Sequence, residues 1–469
     1  MAEPQRMDFG MLHFGRAQLG DERRRSRLVA LANQVAGHPG GTLPKKLCNP
    51  AAYQGMYRLC KSESVTHSAV LETHRTLTLE KMRDYPGTVL VIHDTTELDY
   101  SSRSSLQADL GQIGDGGGRG YECHNSLAVA ANSGEVLGLA NQILHRRADV
   151  PKDEGVAAKR ERDDRESRLW VQGSTAVGRP PAGCTWVDVC DRGADTFEFL
   201  DHEDLTGREF VVRSQHNRGI YIGHSDRSER RLLHDHARTL PALGGRAVWV
   251  QRRAGQPGRW AKCLIAAAPV QVTAPHVKRG IHRNQPLCLW VVRVWEVDPP
   301  KWVKEPLEWI LLTNTPTVTL ADAVERIEWY EKRWMIEEFH KAQKTGCGIE
   351  ELQFRHTDRL EPMIALLSVV AVMLVNLRTA ARQDDAAKAP ATRHVPEIYV
   401  AVLSVWRYRQ RRINLTIHEF NLALGRLGGH QNRKSDGPPG WQTLWRGWNE
   451  LQLMVDYALK AGLERSDER

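Results

Sequence analysis

Five polar residues between positions 330 and 344 have a spacing that brings them together on one helix. Tyr330, Arg333, Glu337, Lys341 and Lys344, at about 100° of turn per residue, fall within an arc of roughly 80°. Met335, Ile336 and Phe339 lie opposite and anchor such a helix. One face then offers a carboxylate, three cations and a phenol. The same spacing also suits a solvated face with Arg333–Glu337 and Glu337–Lys341 ion pairs. Two further carboxylates, Asp94 and Asp191, close the apolar runs TVLVIHD (88–94) and TWVDVCD (185–191), each with the length and β-branching of a buried strand. Carboxylates gathered at strand ends and joined by one from a helix are hard oxygen ligands for Mg²⁺ or Mn²⁺ and suit metal-assisted phosphoryl transfer. Each aspartate alone also fits a turn, beside Thr95-Thr96 and Arg192-Gly193.

Several elements must position these groups. Leu28, Leu31, Ala32 and Val35 recur at helical spacing behind the basic stretch GDERRRSRL (20–28), and residues 47–83 keep a helix-compatible pattern. After Pro86-Gly87 come the first strand, then SLAVAA (126–131) and VLGLANQIL (136–144) around an Asn132-Ser133-Gly134 hairpin turn, a charged helical stretch (KRERDDRESRLW), and the strand ending at Asp191. Short β-rich runs with Gly/Pro turns fill 206–318, as in an antiparallel sheet. Thr319 to Asp322 resembles a capping box and opens a long helix through Lys344. An apolar helix at 363–377 and an Ala-rich linker follow. In the tail, Trp441, Leu444, Trp445, Trp448, Leu451 and Val455 form a stripe suited to packing on its own domain or on a second subunit.

The 469 residues carry 65 Lys+Arg against 57 Asp+Glu, a net charge of +8, with 41% hydrophobic residues, a globular composition that allows a polyanionic partner. Residues 208–262 alone hold 12 Lys+Arg and 4 Asp+Glu, which places the basic surface there. No apolar leader or run of membrane-spanning length is present, so a cytoplasmic protein with no membrane partner is expected. Eight scattered cysteines without a CxxC pair imply neither disulfides nor a zinc ribbon, and most read as small buried side chains. His93 and His340 lack zinc-site spacing, and GDGGGRG (114–120) is a loop rather than a nucleotide-binding motif.

The Tyr-(2)-Arg-(3)-Glu-(6)-Lys pattern of Tyr330, Arg333, Glu337 and Lys344, with Asp94 and Asp191 in order before it, resembles the signature of the insertion-sequence-four family of transposases. The resemblance extends to IHDTT (92–96), VCDRGAD (189–195), FVVRS (210–214), GDERRRSRL (20–28) and LWRGWNELQ (444–452), and so spans nearly the whole chain. It implies an α/β fold with an RNase H-like, retroviral integrase-like catalytic core, a β-rich insertion, and α-helical N- and C-terminal domains. The implied divisions are an end-binding domain at 1–80, a core at 81–205, the insertion at 206–320, the second part of the core at 321–378, and a dimerisation domain at 379–469.

By the same resemblance Asp94, Asp191 and Glu337 form a DDE triad that holds two Mg²⁺ or Mn²⁺ ions. The activity implied is cut-and-paste transposition, in which transposon ends are bound, nicked, converted to a hairpin, opened and joined to target DNA. Tyr330, Arg333 and Lys344 would hold a phosphate near the cut end, where Lys341 could join them, and Trp309 and Trp334 would stack on a flipped base. Arg213 matches a DNA contact, whereas Gln215 departs from the family's basic residue. Arg23, Arg24 and Arg27 correspond to the edge that reads the terminal inverted repeat. The partners are double-stranded transposon-end and target DNA and a second copy in a synaptic complex; the setting is bacterial and nucleoid-associated. The rivals are a metal-dependent nuclease of the same fold and a catalytically silent DNA-binding derivative.

Overall fold

The structure, a computed structural model, describes residues 8–461 except 48, 150–154, 156–161, 163, 224–228, 251–257, 276–281, 383–384 and 434–436. Five helices come first: α1 (Phe9–Phe14), α2 (Glu22–Gly37), α3 (Leu43–Leu47), α4 (Pro50–Cys60) and α5 (His67–Asp84). Their starts follow local chemistry. Asp8, Asp21, Asn49 and Thr66 each accept a backbone N–H of the first turn, and Pro50 sits where a missing N–H costs nothing. Leu28, Leu31, Ala32 and Val35 are buried, as their spacing requires.

A mixed sheet of twelve strands forms the centre. Strands β1 (Val89–Asp99), β2 (Gly111–Ile113), β3 (Gly118–Ala130) and β4 (Val136–His145) precede helix α6 (Leu169–Val177); β5 (Trp186–Cys190), helix α7 (Phe197–Thr206) and β6 (Glu209–Arg213) follow. The Asn132-Ser133-Gly134 turn joins β3 to β4, with Gly134 at φ 71°. Of the KRERDDRESRLW stretch, residues 159–161 and 163 lie outside the described residues; a single 3-10 turn covers Glu166–Arg168 and the α-helix begins at Leu169. Gly118 to Gly120 of the glycine-rich segment belong to β3, paired to β2, so that segment is only partly a loop. Around β1 the order is β4-β3-β1-β5-β6, antiparallel up to β1 and parallel from β1 through β5 to β6.

The sheet continues without a break through β7 (Gly219–Ile222), β8 (Arg230–Leu232), helix α8 (Leu233–Thr239), β9 (Gly244–Val250), β10 (Arg259–Val272), β11 (Leu287–Glu296) and β12 (Glu308–Thr313), with β12 antiparallel to β6. The antiparallel pattern read from 206–318 is present, but β6 at its start belongs to the parallel set. The basic excess of 208–262 is also largely discharged. Arg208, Arg218, Arg238, Arg246 and Arg259 pair with Asp188, Asp195, Glu308, Glu328 with Glu331, and Glu296, all outside that stretch.

The remaining helices are α9 (Leu320–Glu331), α10 (Trp334–Lys341), α11 (Thr357–Ala380), α12 (Glu397–Tyr408), α13 (Ile417–Leu427) and α14 (Trp441–Lys460). The Thr319–Asp322 capping box is present. Helix α11 is long and apolar enough to cross a membrane by length and composition, yet it is packed inside the fold, with 78% of its most apolar stretch buried. The tail stripe packs on its own chain: Leu444, Trp445, Trp448, Leu451 and Val455 are buried. Of the described cysteines, Cys60, Cys123, Cys190, Cys263 and Cys347 are buried, Cys184 is half-buried and Cys288 exposed.

One hydrophobic core joins the N-terminal helices, one face of the sheet, and α9 through α14. His13 of α1 meets His74 of α5 at 2.9 Å between Nδ1 atoms, while the Leu139 amide of β4 donates to His74 Nε2 at 3.0 Å. That amide fixes the tautomer, since an accepting Nε2 leaves Nδ1–H of His74 to donate to His13. Burial pushes both imidazoles well down, His13 to about 4.

Candidate active site

Strand alternation builds one half of the site. Leu90 and Ile92 of β1, Val187 and Val189 of β5, and Val211 of β6 are buried against α9 to α11, and period-two geometry carries this face forward to Asp94, Asp191 and Arg213. The parallel register ends at His93↔Cys190 and Cys190↔Val212, so these three residues stand one step beyond it, in a row across neighbouring strands. Asp191 ends its strand as expected and accepts the Gly193 amide at 2.8 Å. Asp94 does not end its strand: β1 continues to Asp99 because β3 pairs with it throughout, and only the parallel partner stops at this point.

The other half comes from the 319–344 segment, which is not one even helix. Amides of Arg333, Met335 and Ile336 bond three residues back, tightening the chain between α9 and α10, and a π-turn at Ala342–Gly346 loosens it beyond α10. Met335, Ile336 and Phe339 are buried as anchors. The irregular winding separates the cations. Arg333 bridges two carboxylates, Asp94 at 3.4 Å and Glu337 closer still. Lys341 pairs with Glu338 at 3.2 Å and Lys344 with Glu350 at 3.2 Å, so the Glu337–Lys341 pair is not formed.

Tyr330 is buried, lies near Arg213, which donates to the Glu308 carbonyl at 3.3 Å, and meets the Trp309 ring edge-on, 5.2 Å between centroids. Trp334 packs inward under Arg378, whose guanidinium lies 5.3 Å from its ring centre and pairs with Glu338 at 2.6 Å. Among the N-terminal arginines, Arg24 is tied down: it donates to the Leu19 carbonyl at 3.0 Å and to Ser64 Oγ at 2.9 Å. Arg23 and Arg27 are exposed, the Arg27 guanidinium lying against Gly55.

Burial, then the charge of Asp191, pushes the Asp94 carboxyl up to about 7, against the pull of Arg333; Glu337 adds a smaller push. This site concentrates negative charge that the nearby arginine only partly offsets. The donor chemistry fits hard divalent cations. Among the described residues, no three metal-ligating side chains stand close enough to hold an ion as placed. Arg333 stands between Asp94 and Glu337 and pairs with both.

Behind this row, on the opposite sheet face, lies a buried ion cluster that motif reading misses. Arg208 Nε and Nη2 donate to Asp188 Oδ2 and Oδ1 at 2.6 and 2.7 Å, and His93 Nε2 bonds Asp188 Oδ1 at 2.8 Å. The signal is present in the sequence: in TWVDVCD, Asp188 takes an inward position of a strand buried on both faces and so demands a cation. Gly173 of α6 permits the packing, since a β-carbon there would stand 2.6 Å from His124 Nε2. Asp195 is a second missed hub, accepting the Gln215 and His216 amides at 2.6 and 2.9 Å. His93 and His340 are both hydrogen-bonded into the interior, His340 to Asn125 at 3.2 Å.

A family model described as transposase DNA-binding matches residues 7–65, the stretch from the start of α1 through α4. The match supports a transposase, with DNA as its partner. The chain thus joins a transposase-type DNA-binding segment to a mixed α/β sheet flanked by helical termini.

Proposed function

We propose that the protein is a cut-and-paste DNA transposase of the insertion-sequence-four type, with an RNase H-like core made of β1, β3 to β6 and the helices around them. The observation that carries this reading is the row of Asp94, Asp191 and Arg213 across parallel strands, faced by Tyr330, Arg333 and Glu337, in a chain whose N-terminal segment matches a transposase DNA-binding family. Asp94, Asp191 and Glu337 would hold two Mg²⁺ or Mn²⁺ ions. Such ions supply an activated nucleophile and stabilise the leaving oxygen.

The residues divide the remaining work by chemistry. Arg333 and Arg213 offer planar forks for a phosphate beside the cut, with the Tyr330 hydroxyl between them. Lys344 and Lys341 are point charges that approach DNA by exchanging their glutamate partners for phosphate. Trp309 steadies a base through its exposed edge. Arg23 and Arg27 present the basic edge of α2 to the transposon end, while Arg24 holds that edge to the loop beneath it. Terminal inverted repeats, target DNA and a second copy in a synaptic complex are the partners of this reading, which places the protein in the bacterial cytoplasm, on the nucleoid when DNA is bound.

The test is Glu337→Ala incubated with Mg²⁺ and the DNA flanking the gene. Binding to the end is retained and nicking is lost; a variant that nicks like wild type removes Glu337 from the site. Wild-type products that are nicked but never joined identify a nuclease instead.

A further inference from the structure

Among the described residues, the antiparallel part of the sheet leaves part of one face open. Register places Trp249 of β9 directly opposite Trp260 of β10, with Lys262 opposite Ala247, and Leu264 between Gly245 of β9 and Trp295 of β11. All these side chains share one face. The intervening Val248, Ala261, Cys263 and Ile265 point the other way and are buried. Near α8 this face is covered, where Leu287, Leu289 and Val291 are buried beside Leu233 and Ala237. Beyond α8 it is open: Trp260 is 68% and Trp249 49% exposed, and their rings meet edge-on at 5.3 Å.

Two exposed tryptophans in direct cross-strand contact are costly in water and point to a ligand. The surroundings indicate its chemistry. Small residues flank the pair on β9, so the rings stand proud of the sheet as a platform. Arg293 lies over Trp295, 4.3 Å from the ring centre. Arg293 and Arg238 share a single carboxylate, Glu308, while Lys262 has no carboxylate partner among the described residues, leaving the face net positive. A flat aromatic surface with cations at its edge is what unpaired nucleotides recognise, bases stacking on rings and phosphates meeting cations. Trp309, by contrast, sits with Val294 on the opposite sheet face, packed against Tyr330. The platform is therefore separate from the carboxylate row.

We propose that the open face of Trp249, Trp260, Lys262 and Trp295 binds single-stranded DNA by base stacking, on the side of the sheet away from the candidate active site. This rests on the reading of DNA as the partner. It is tested by fluorescence anisotropy of the full chain with a labelled oligothymidine and, separately, a labelled duplex. Trp249→Ala with Trp260→Ala lowers single-strand affinity roughly tenfold or more and leaves duplex affinity unchanged. Trp249→Phe with Trp260→Phe keeps most of the single-strand affinity, because the rings remain. Single-strand affinity within about twofold of wild type in the alanine variant overturns the proposal. So does a fall in that variant's sedimenting mass without loss of binding, which would make the face an interface between copies. A wild-type chain that binds duplex but no single strand sinks this proposal alone; one that binds neither sinks the DNA reading with it.

Discussion

Replacing Asp94 with asparagine should stabilise the protein. The carboxyl is held at about 7 in the fold against an ordinary 3.8, through burial and the nearby Asp191 charge. Between those values the folded chain binds a proton that the unfolded chain has already lost, so stability falls as pH rises through this window and the full penalty is present above it. At about 1.4 kcal/mol per pH unit the rise amounts to roughly 4 kcal/mol. The side chain is only 17% exposed, so solvent screens little of this, and the favourable pull of Arg333 is already included in the net rise. The Asp94→Asn change keeps the shape of the side chain and removes its charge, and Arg333 retains Glu337. Calorimetric melting from about pH 4 to about pH 9 is the assay. The two proteins should melt together at the acid end and diverge through neutrality, the variant gaining several degrees at the alkaline end. Added Mg²⁺ should raise the wild type more than the variant. Equal melting temperatures at alkaline pH, or a less stable variant, would refute the reasoning.

Arg208→Met leaves Asp188 charged and buried, and should cost about 3–5 kcal/mol of stability in chemical denaturation, recovered in part by Asp188→Asn in the same chain. His74→Leu strands the Leu139 amide and the His13 ring, and should cost about 1–3 kcal/mol; a melt indistinguishable from wild type would show that the contact contributes nothing.

The row of Asp94, Asp191 and Arg213 is legible in the sequence because strand patterning is simple: apolar alternation places the strands, and the residues after them take the open ends. The strand end at Asp94 is misread because an edge is set by partners, and β3, far along the chain, carries β1 five residues further. The helix face at 330–344 is misread for a related reason. An even 100° step cannot anticipate a tightened turn followed by a π-turn, so Lys341 and Lys344 turn to Glu338 and Glu350. Net charge misleads most. Local counting makes 208–262 a basic surface, whereas carboxylates from other segments meet five of its cations. Trp334, at a motif position, is half-buried and has the Arg378 guanidinium of α11 over its ring, a neighbour that local spacing does not disclose.

The histidine pair of α1 and α5, tied to β4 through the Leu139 amide, has a consequence for accuracy. On the proposed function, a DNA-reading segment and a cutting centre built on one continuous core, with a tautomer-locked clasp between them, would behave as a ruler of fixed length. The distance from the recognised sequence to the severed bond would then be a property of the fold, not of diffusion on a tether. Loosening the clasp would leave both recognition and chemistry in place but scatter the cut over neighbouring phosphates.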